Sequence, residues 1–79
     1  MKIDISELDI TIDQMKLMRS GENISKGYLE RIPEEQRTEE QQQDIRIYTA
    51  EIGAFDNCIM FLELLKEVFE DENDSNISG

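Results

Sequence analysis

The stretch that decides the fold is residues 45–69, which read IRIYTAEIGAFDNCIMFLELLKEVF. Apolar side chains recur along it at alternating intervals of three and four residues: Ile45, Tyr48, Ile52, Phe55, Ile59 and Leu62. This spacing is the a/d pattern of a coiled-coil seam, in which one face of a helix packs against another helix. The stretch therefore predicts a long amphipathic α-helix whose seam lies against a helical partner.

The predicted helix extends beyond the seam on both sides. Pro33 suits the first turn of a helix, and a capping-box match at Thr38-Glu39-Glu40-Gln41 allows the start to slip to residue 38. Gly53 disfavours the helix by about 1 kcal/mol relative to alanine. We predict a helix over about 34–70, roughly 50 Å long at about 1.5 Å per residue.

A second apolar stripe lies beside the seam. Its members repeat every seven residues or fall between those repeats: Ile47, Ala54, Cys58, Phe61, Leu65 and Val68. A helix that is apolar on more than one face is usually covered from more than one side. The front of the chain is short, so we expect a homodimeric helical bundle with paired long helices and the N-terminal elements outside. The alternative is a single-chain core in which the helix breaks at Gly53 and folds back.

The predicted dimer or partner interface combines the seam with three apolar residues beside or beyond it. Its residues are Ile45, Tyr48, Ile52, Phe55, Ile59, Leu62, Phe61, Leu65 and Phe69.

The N-terminal part of the chain gives weaker signals. Residues 1–12 alternate apolar and charged side chains, which favours a short strand or an extended arm. Thr11-Ile12-Asp13-Gln14 has the form of a capping box and predicts a short helix over 12–20. A second short helix over 25–32 is also compatible with the sequence, although Gly27 weakens it.

The predicted fold class is therefore all-α. A long C-terminal helix packs with one or two short N-terminal helices in a single domain, residues 1–70. Residues 71–79, which read DENDSNISG, have almost nothing to bury and are expected to form a disordered acidic tail.

The charge is strongly negative and unevenly placed. The net charge is -11, from 19 acidic and 8 basic residues, and residues 33–79 hold thirteen acidic and three basic side chains. Such a field repels nucleic acid and attracts basic surfaces, so we expect no direct nucleic-acid binding. The candidate acidic partner-binding surface consists of Glu34, Glu35, Glu39, Glu40, Asp44, Glu51, Glu63, Glu67, Glu70, Asp71 and Glu72.

The composition argues against catalysis. Histidine is absent and Cys58 is the only cysteine, which removes the commonest acid/base and any internal disulfide or multi-thiolate metal site. No glycine-rich phosphate-binding loop is present. We expect no enzyme activity, cofactor, metal or small-molecule substrate. The sequence shows no membrane helix and no basic, apolar signal peptide, so we expect a cytoplasmic protein.

Two functional interpretations remain. In the first, a small non-catalytic regulator or inhibitor binds a basic surface of a target protein, with nucleic-acid mimicry as its sharper form. The composition is compatible with a phage or mobile-element origin. In the second, a structural or assembly adaptor acts through the apolar faces of the long helix, and the charge serves solubility.

Overall fold

Two helices make up the structure, a computed structural model that describes residues 4–78, with side-chain environments for residues 4–71. Helix α1 spans Ile5–Glu30 and helix α2 spans Glu39–Ser78, with a single 3₁₀ turn, Glu34–Gln36, between them. The helices pack side by side in opposite directions, which gives a rod of 64 × 18 × 15 Å. The all-α prediction is confirmed, and no strand occurs within the described residues.

Helix α1 begins at a side-chain cap. The Asp4 carboxylate accepts hydrogen bonds from the Ser6 hydroxyl at 2.6 Å and from the Ser6 backbone N–H at 2.9 Å. These two bonds, the hydroxyl bond first, hold the pKa of Asp4 below its ordinary value. A carboxylate at this position accepts from N–H groups that have no partner within the helix, and it also faces the positive end of the helix dipole.

The predictions for the N-terminal part were wrong in their boundaries. Residues 5–12 are helical rather than a strand or an extended arm, and residues 1–3 lie outside the described part of the chain. One continuous helix replaces the two short ones predicted over 12–20 and 25–32. The Thr11 hydroxyl does not cap a helix; it donates to the Glu7 carbonyl at 2.9 Å from within one.

The physical reason is a seam that runs the whole length of α1. Side chains at alternating spacings of three and four residues are buried or half-buried: Ile5, Leu8, Ile12, Met15, Arg19, Glu22, Lys26 and Leu29. Packing along this seam outweighs the roughly 1 kcal/mol cost of each interior glycine. The alternation of apolar and charged residues in the sequence 3–12 therefore belongs to a helical seam that repeats every 3.5 residues. The stretch is too short to distinguish that repeat from a period of two.

The connection between the helices is held by Arg37. Its Nε donates to the Ile32 carbonyl at 2.9 Å and its Nη2 to the Glu30 carbonyl at 3.2 Å, close to the end of α1. Carbonyls at a helix C-terminus lack intrahelical partners, and a cation there is favourable. The guanidinium of Arg37 therefore ties the link to α1.

Helix α2 begins where the capping box predicted. The Gln41 side chain accepts from the Thr38 N–H at 2.9 Å, and the Thr38 hydroxyl accepts from the Gln41 N–H at 3.1 Å. The helix continues without a break through Gly53, so the single-chain alternative with a fold-back there does not occur. It extends to Ser78, past the predicted end near residue 70. The disorder of residues 71–79 stays a prediction.

The core of this hairpin is thin. Among residues 4–71, only Ile12 and Ile59 are buried, each 5% exposed. Two helices share one seam, and a domain normally needs a further layer of secondary structure to enclose a core. The side chains at the margins of the seam consequently stay partly open to solvent.

Candidate protein-binding surface

The predicted seam of α2 packs within its own chain. Ile59 is buried, and the remaining seam residues are half-buried on the side of α2 that faces α1: Ile45, Tyr48, Ile52, Phe55, Leu62 and Phe69. The helix that covers this seam is α1, so the seam does not require a second copy. The assignment of the seam residues to a dimer interface stays a prediction, as does the dimeric bundle itself.

Phe69 continues the seam, whereas the two predicted interface residues beside the seam lie on another side of α2. Phe61 is 63% exposed, and Leu65 is half-buried beside it along the helix. They belong to what we call the apolar flank, one of the two sides of the hairpin that border the seam. The apolar flank consists of Met18 of α1 with Ile47, Ala54, Cys58, Phe61, Leu65 and Val68 of α2.

Two shallow depressions connect the helices along the apolar flank. One is lined by Met15, Asn57, Cys58, Phe61 and Leu62 and encloses about 290 Å³. The other holds about 330 Å³ and is lined by Met15, Met18, Glu22, Glu51, Ala54, Phe55 and Cys58. These volumes are at the bottom of the ~300–1,000 Å³ range of ligand pockets. The depressions therefore offer shallow apolar surface along the apolar flank.

A pair of carboxyl groups borders the larger depression. Glu22 Oε2 is buried and accepts no hydrogen bond from an amide, hydroxyl or cationic donor of the described residues. A hydrogen bond with Glu51 raises the pKa of Glu22, and partial burial and the charge of Glu51 raise it further. Two carboxylates can share a hydrogen bond only when one of them holds a proton. The apolar flank is thus bordered by one pair of carboxyl groups, Glu22 and Glu51, and ionisation of both groups together is unfavourable.

The opposite side of the hairpin is closed by ion pairs, and we call it the charged flank. Lys66 Nζ lies 2.6 Å from Asp9, Arg19 Nη1 lies 2.7 Å from Asp56, and Lys16 Nζ lies 3.4 Å from Glu63. A further contact of 3.8 Å joins Lys66 to Glu70. The hydrogen bond to Asp9 is the main reason that the pKa of Lys66 is raised.

These pairs fix the antiparallel register because the partner moves back along α2 as the chain advances along α1: Asp9 pairs with Lys66, Lys16 with Glu63 and Arg19 with Asp56. Their energies are small, since exposed ion pairs contribute about 0–1 kcal/mol each. The charged flank therefore specifies how the helices align more than it stabilises them.

The predicted acidic surface is divided by the fold. Glu34, Glu35, Glu39, Glu40 and Asp44 lie at the loop end of the rod, while Glu63, Glu67, Glu70 and Asp71 lie in the other half of α2. Between Asp44 and Glu63, a rise of about 28 Å, the only member is Glu51, which pairs with Glu22. Glu63 and Glu70 contact lysines. The side chain of Glu72 lies outside the described environments.

Other kinds of site find no support within the described residues. No group of three or more metal-ligating side chains occurs there. No helix in that part of the chain is both long and apolar enough to cross a membrane. Comparison with known proteins gives no matching family model, curated sequence or solved structure. The case for function consequently depends on the geometry of this chain.

Sequence reasoning found the apolar flank of α2 but missed its counterpart on α1. Met18 lines the same depression as Ala54 and Cys58, although it was assigned only to a short helix. The missed signal was the seam of α1, because Arg19, Glu22 and Lys26 occupy seam positions and hide the apolar repeat.

Proposed function

We propose that the chain is a non-catalytic interaction protein that docks through its apolar flank onto another polypeptide. The observation that carries this proposal is the asymmetry of the hairpin. Ion pairs cover the charged flank, whereas the apolar flank leaves a phenylalanine, a methionine and several aliphatic side chains in contact with water. Contiguous exposed apolar surface of this kind typically marks an interaction site.

The geometry favours the adaptor interpretation over recognition by acidic residues alone. Nucleic-acid mimicry needs a continuous row of unpaired carboxylates, and the acidic candidates instead form two groups separated by the middle of α2. Those groups remain exposed at the ends of the rod. We propose that they favour association with a target protein whose surface is basic, by steering rather than by supplying most of the affinity.

The proposal is tested by two neighbouring residues that face different directions. Met18 belongs to the apolar flank, while Leu17 points away from the other helix, and their exposures are similar, 55% and 68%. Met18→Asp should abolish association of the purified chain and capture of target proteins from an extract of its own cells. Leu17→Asp should leave both unchanged. Sedimentation velocity and affinity capture at two salt concentrations measure these outcomes.

A charge-reversed variant separates the two interpretations. Glu40→Lys should weaken capture of a basic target only modestly and should leave the docking through the apolar flank intact. If Glu40→Lys abolished capture while Met18→Asp did not change it, the acidic surface rather than the apolar flank would be the functional one.

A further inference from the structure

The accessible surface of the chain is large for its mass. It measures 6193 Å² for 9.2 kDa, whereas a compact folded monomer of that mass is expected to expose about 4,900 Å². The difference is roughly 1,300 Å², and one partner in a standard interface contributes about 800 Å². The whole chain, its ends included, therefore has enough open surface to give up a half-interface of that size.

The spacing of four residues of the apolar flank would allow the flank to pair with a second copy of itself. Ile47, Ala54, Phe61 and Val68 are evenly spaced along α2, and the midpoint of the series falls between Asn57 and Cys58. A two-fold axis through that midpoint places Ile47 opposite Val68 of a second copy. It also places Phe61, the largest side chain of the flank, opposite Ala54, the smallest. Alternation of large and small residues across an interface is what allows facing layers to interdigitate.

We propose that the occupant of the apolar flank is a second copy of this chain, related by a two-fold axis beside Cys58. The product is an antiparallel four-helix bundle in which each hairpin supplies the missing layer for the other. Such an isologous contact uses the same patch on both copies and closes at two. This inference rests on the proposed function, because it names the occupant of the docking surface proposed above.

Charge gives this dimer a property that a basic partner would not share. Both copies carry a net charge of -11, so their association is opposed by repulsion. Salt screens that repulsion within about 10 Å at 0.1 M. The dissociation constant of the homodimer should therefore fall several-fold as salt is raised. Binding to a basic protein would weaken under the same change.

The native cysteine provides the direct test. Cys58 is exposed in the single chain and would lie next to its copy at the two-fold axis. A bismaleimide with a short spacer should join two chains through Cys58 when the protein is dimeric by sedimentation equilibrium. The matched control is Cys58→Ser with Met60→Cys, because Met60 is 58% exposed on another side of α2. Cross-linking of this control should be about tenfold lower or less, since only proximity raises the effective concentration.

Three results overturn the inference. The first is a chain that stays monomeric at roughly tens of micromolar at every salt concentration, which excludes a dissociation constant in the micromolar range. The second is a dimer that cross-links equally through residues 58 and 60. The third is a dissociation constant that rises with salt.

A second measurement distinguishes failure of the homodimer from failure of the proposed function. It is the rate at which Cys58 reacts with a monofunctional maleimide. A monomer whose Cys58 reacts as fast as a free peptide thiol at all concentrations has an open flank. That result removes the homodimer and leaves the flank for a different protein. A dilute monomer whose Cys58 is protected has a flank closed within its own chain, and both proposals then fail. The expected result is protection that appears only as concentration rises.

Discussion

The two flanks of the hairpin border the same seam but use opposite chemistry. On the charged flank, three cations of the chain contact carboxylates of the neighbouring helix. On the apolar flank, Met18, Phe61 and Val68 have more than half of their surface exposed. The ion pairs of the charged flank determine how the helices align but contribute little to the free energy of folding. The apolar flank exposes side chains whose burial by another molecule would be favourable. Each such side chain contributes roughly 1.5–3 kcal/mol when fully buried.

The largest effect is expected in the seam that both flanks share. Ile59→Asp places an unpaired charge at one of the two buried positions and should cost about 3–5 kcal/mol, enough to unfold a small domain. Far-UV circular dichroism should show loss of helix. Met60→Asp is the matched control because its side chain is exposed, and it should retain the helical signal. Equal loss in both variants would mean that the seam is not the core of the hairpin.

A substitution outside both flanks measures how much the backbone of α2 alone contributes to stability. A methyl group added at Gly53 meets no atom within 4 Å, and alanine is favoured over glycine in a helix by about 1 kcal/mol. Gly53→Ala should raise the free energy of unfolding by up to about 1 kcal/mol in urea titrations. A decrease would show that the backbone at residue 53 is constrained by packing.

The acidic pair should make the apolar flank sensitive to pH. The folded pKa of Glu22 is raised above its ordinary value of 4.5, first by the hydrogen bond with Glu51. Between these two values the folded chain holds more protons than the unfolded chain, so stability falls as pH rises through that window. The resulting penalty is complete only above the folded pKa and is relieved on acidification.

Glu22→Gln removes that penalty. It should raise the thermal midpoint at neutral pH, and the gain should disappear as pH falls below the ordinary glutamate pKa. The control is Glu63→Gln, which also removes one negative charge but breaks a contact with Lys16. If both variants gained equally, the effect would come from net charge rather than from the Glu22–Glu51 pair.

The smallest effect is expected on the charged flank. Arg19→Met removes the 2.7 Å contact with Asp56 and keeps an apolar stem in the half-buried position. Its free energy of unfolding should change by no more than about 1 kcal/mol, and the change should shrink at high salt. A loss of several kcal/mol would contradict the assignment of this flank to alignment rather than stability.

The sequence predicted α2 well because its signals are local and agree with one another. Spacing gave the seam, and Thr38 with Gln41 gave the start of the helix. It predicted α1 poorly because polar residues interrupt that seam at three consecutive positions, Gly21 suggested the end of a short helix, and Gly27 weakened the prediction of the next one. Helix α1 tolerates these glycines and polar residues because it packs against α2, and contacts between residues so distant in sequence cannot be predicted from local patterns. For the same reason, the packing of α1 against the seam of α2 within the same chain was not predicted.

The candidate site was predicted in part. The heptad repeat of Ile47, Ala54, Phe61 and Val68 identified the open stripe of α2 from spacing alone. The Glu22–Glu51 pair was not predicted, because it joins residues that are distant in sequence and depends on the antiparallel register. The division of the acidic surface into two ends likewise follows from the fold.

The central claim is that the chain leaves one flank for another molecule of its own kind to cover. It is tested most directly by the concentration dependence of thermal unfolding, followed by far-UV circular dichroism. Because association shifts unfolding by mass action, a 100-fold increase in concentration adds about 2.7 kcal/mol per dimer, or roughly 1.4 kcal/mol per chain, and should raise the midpoint by roughly 5–10 °C. A midpoint that stays constant over this range, with a full helical signal before melting, would show that the hairpin is complete by itself and would contradict the account.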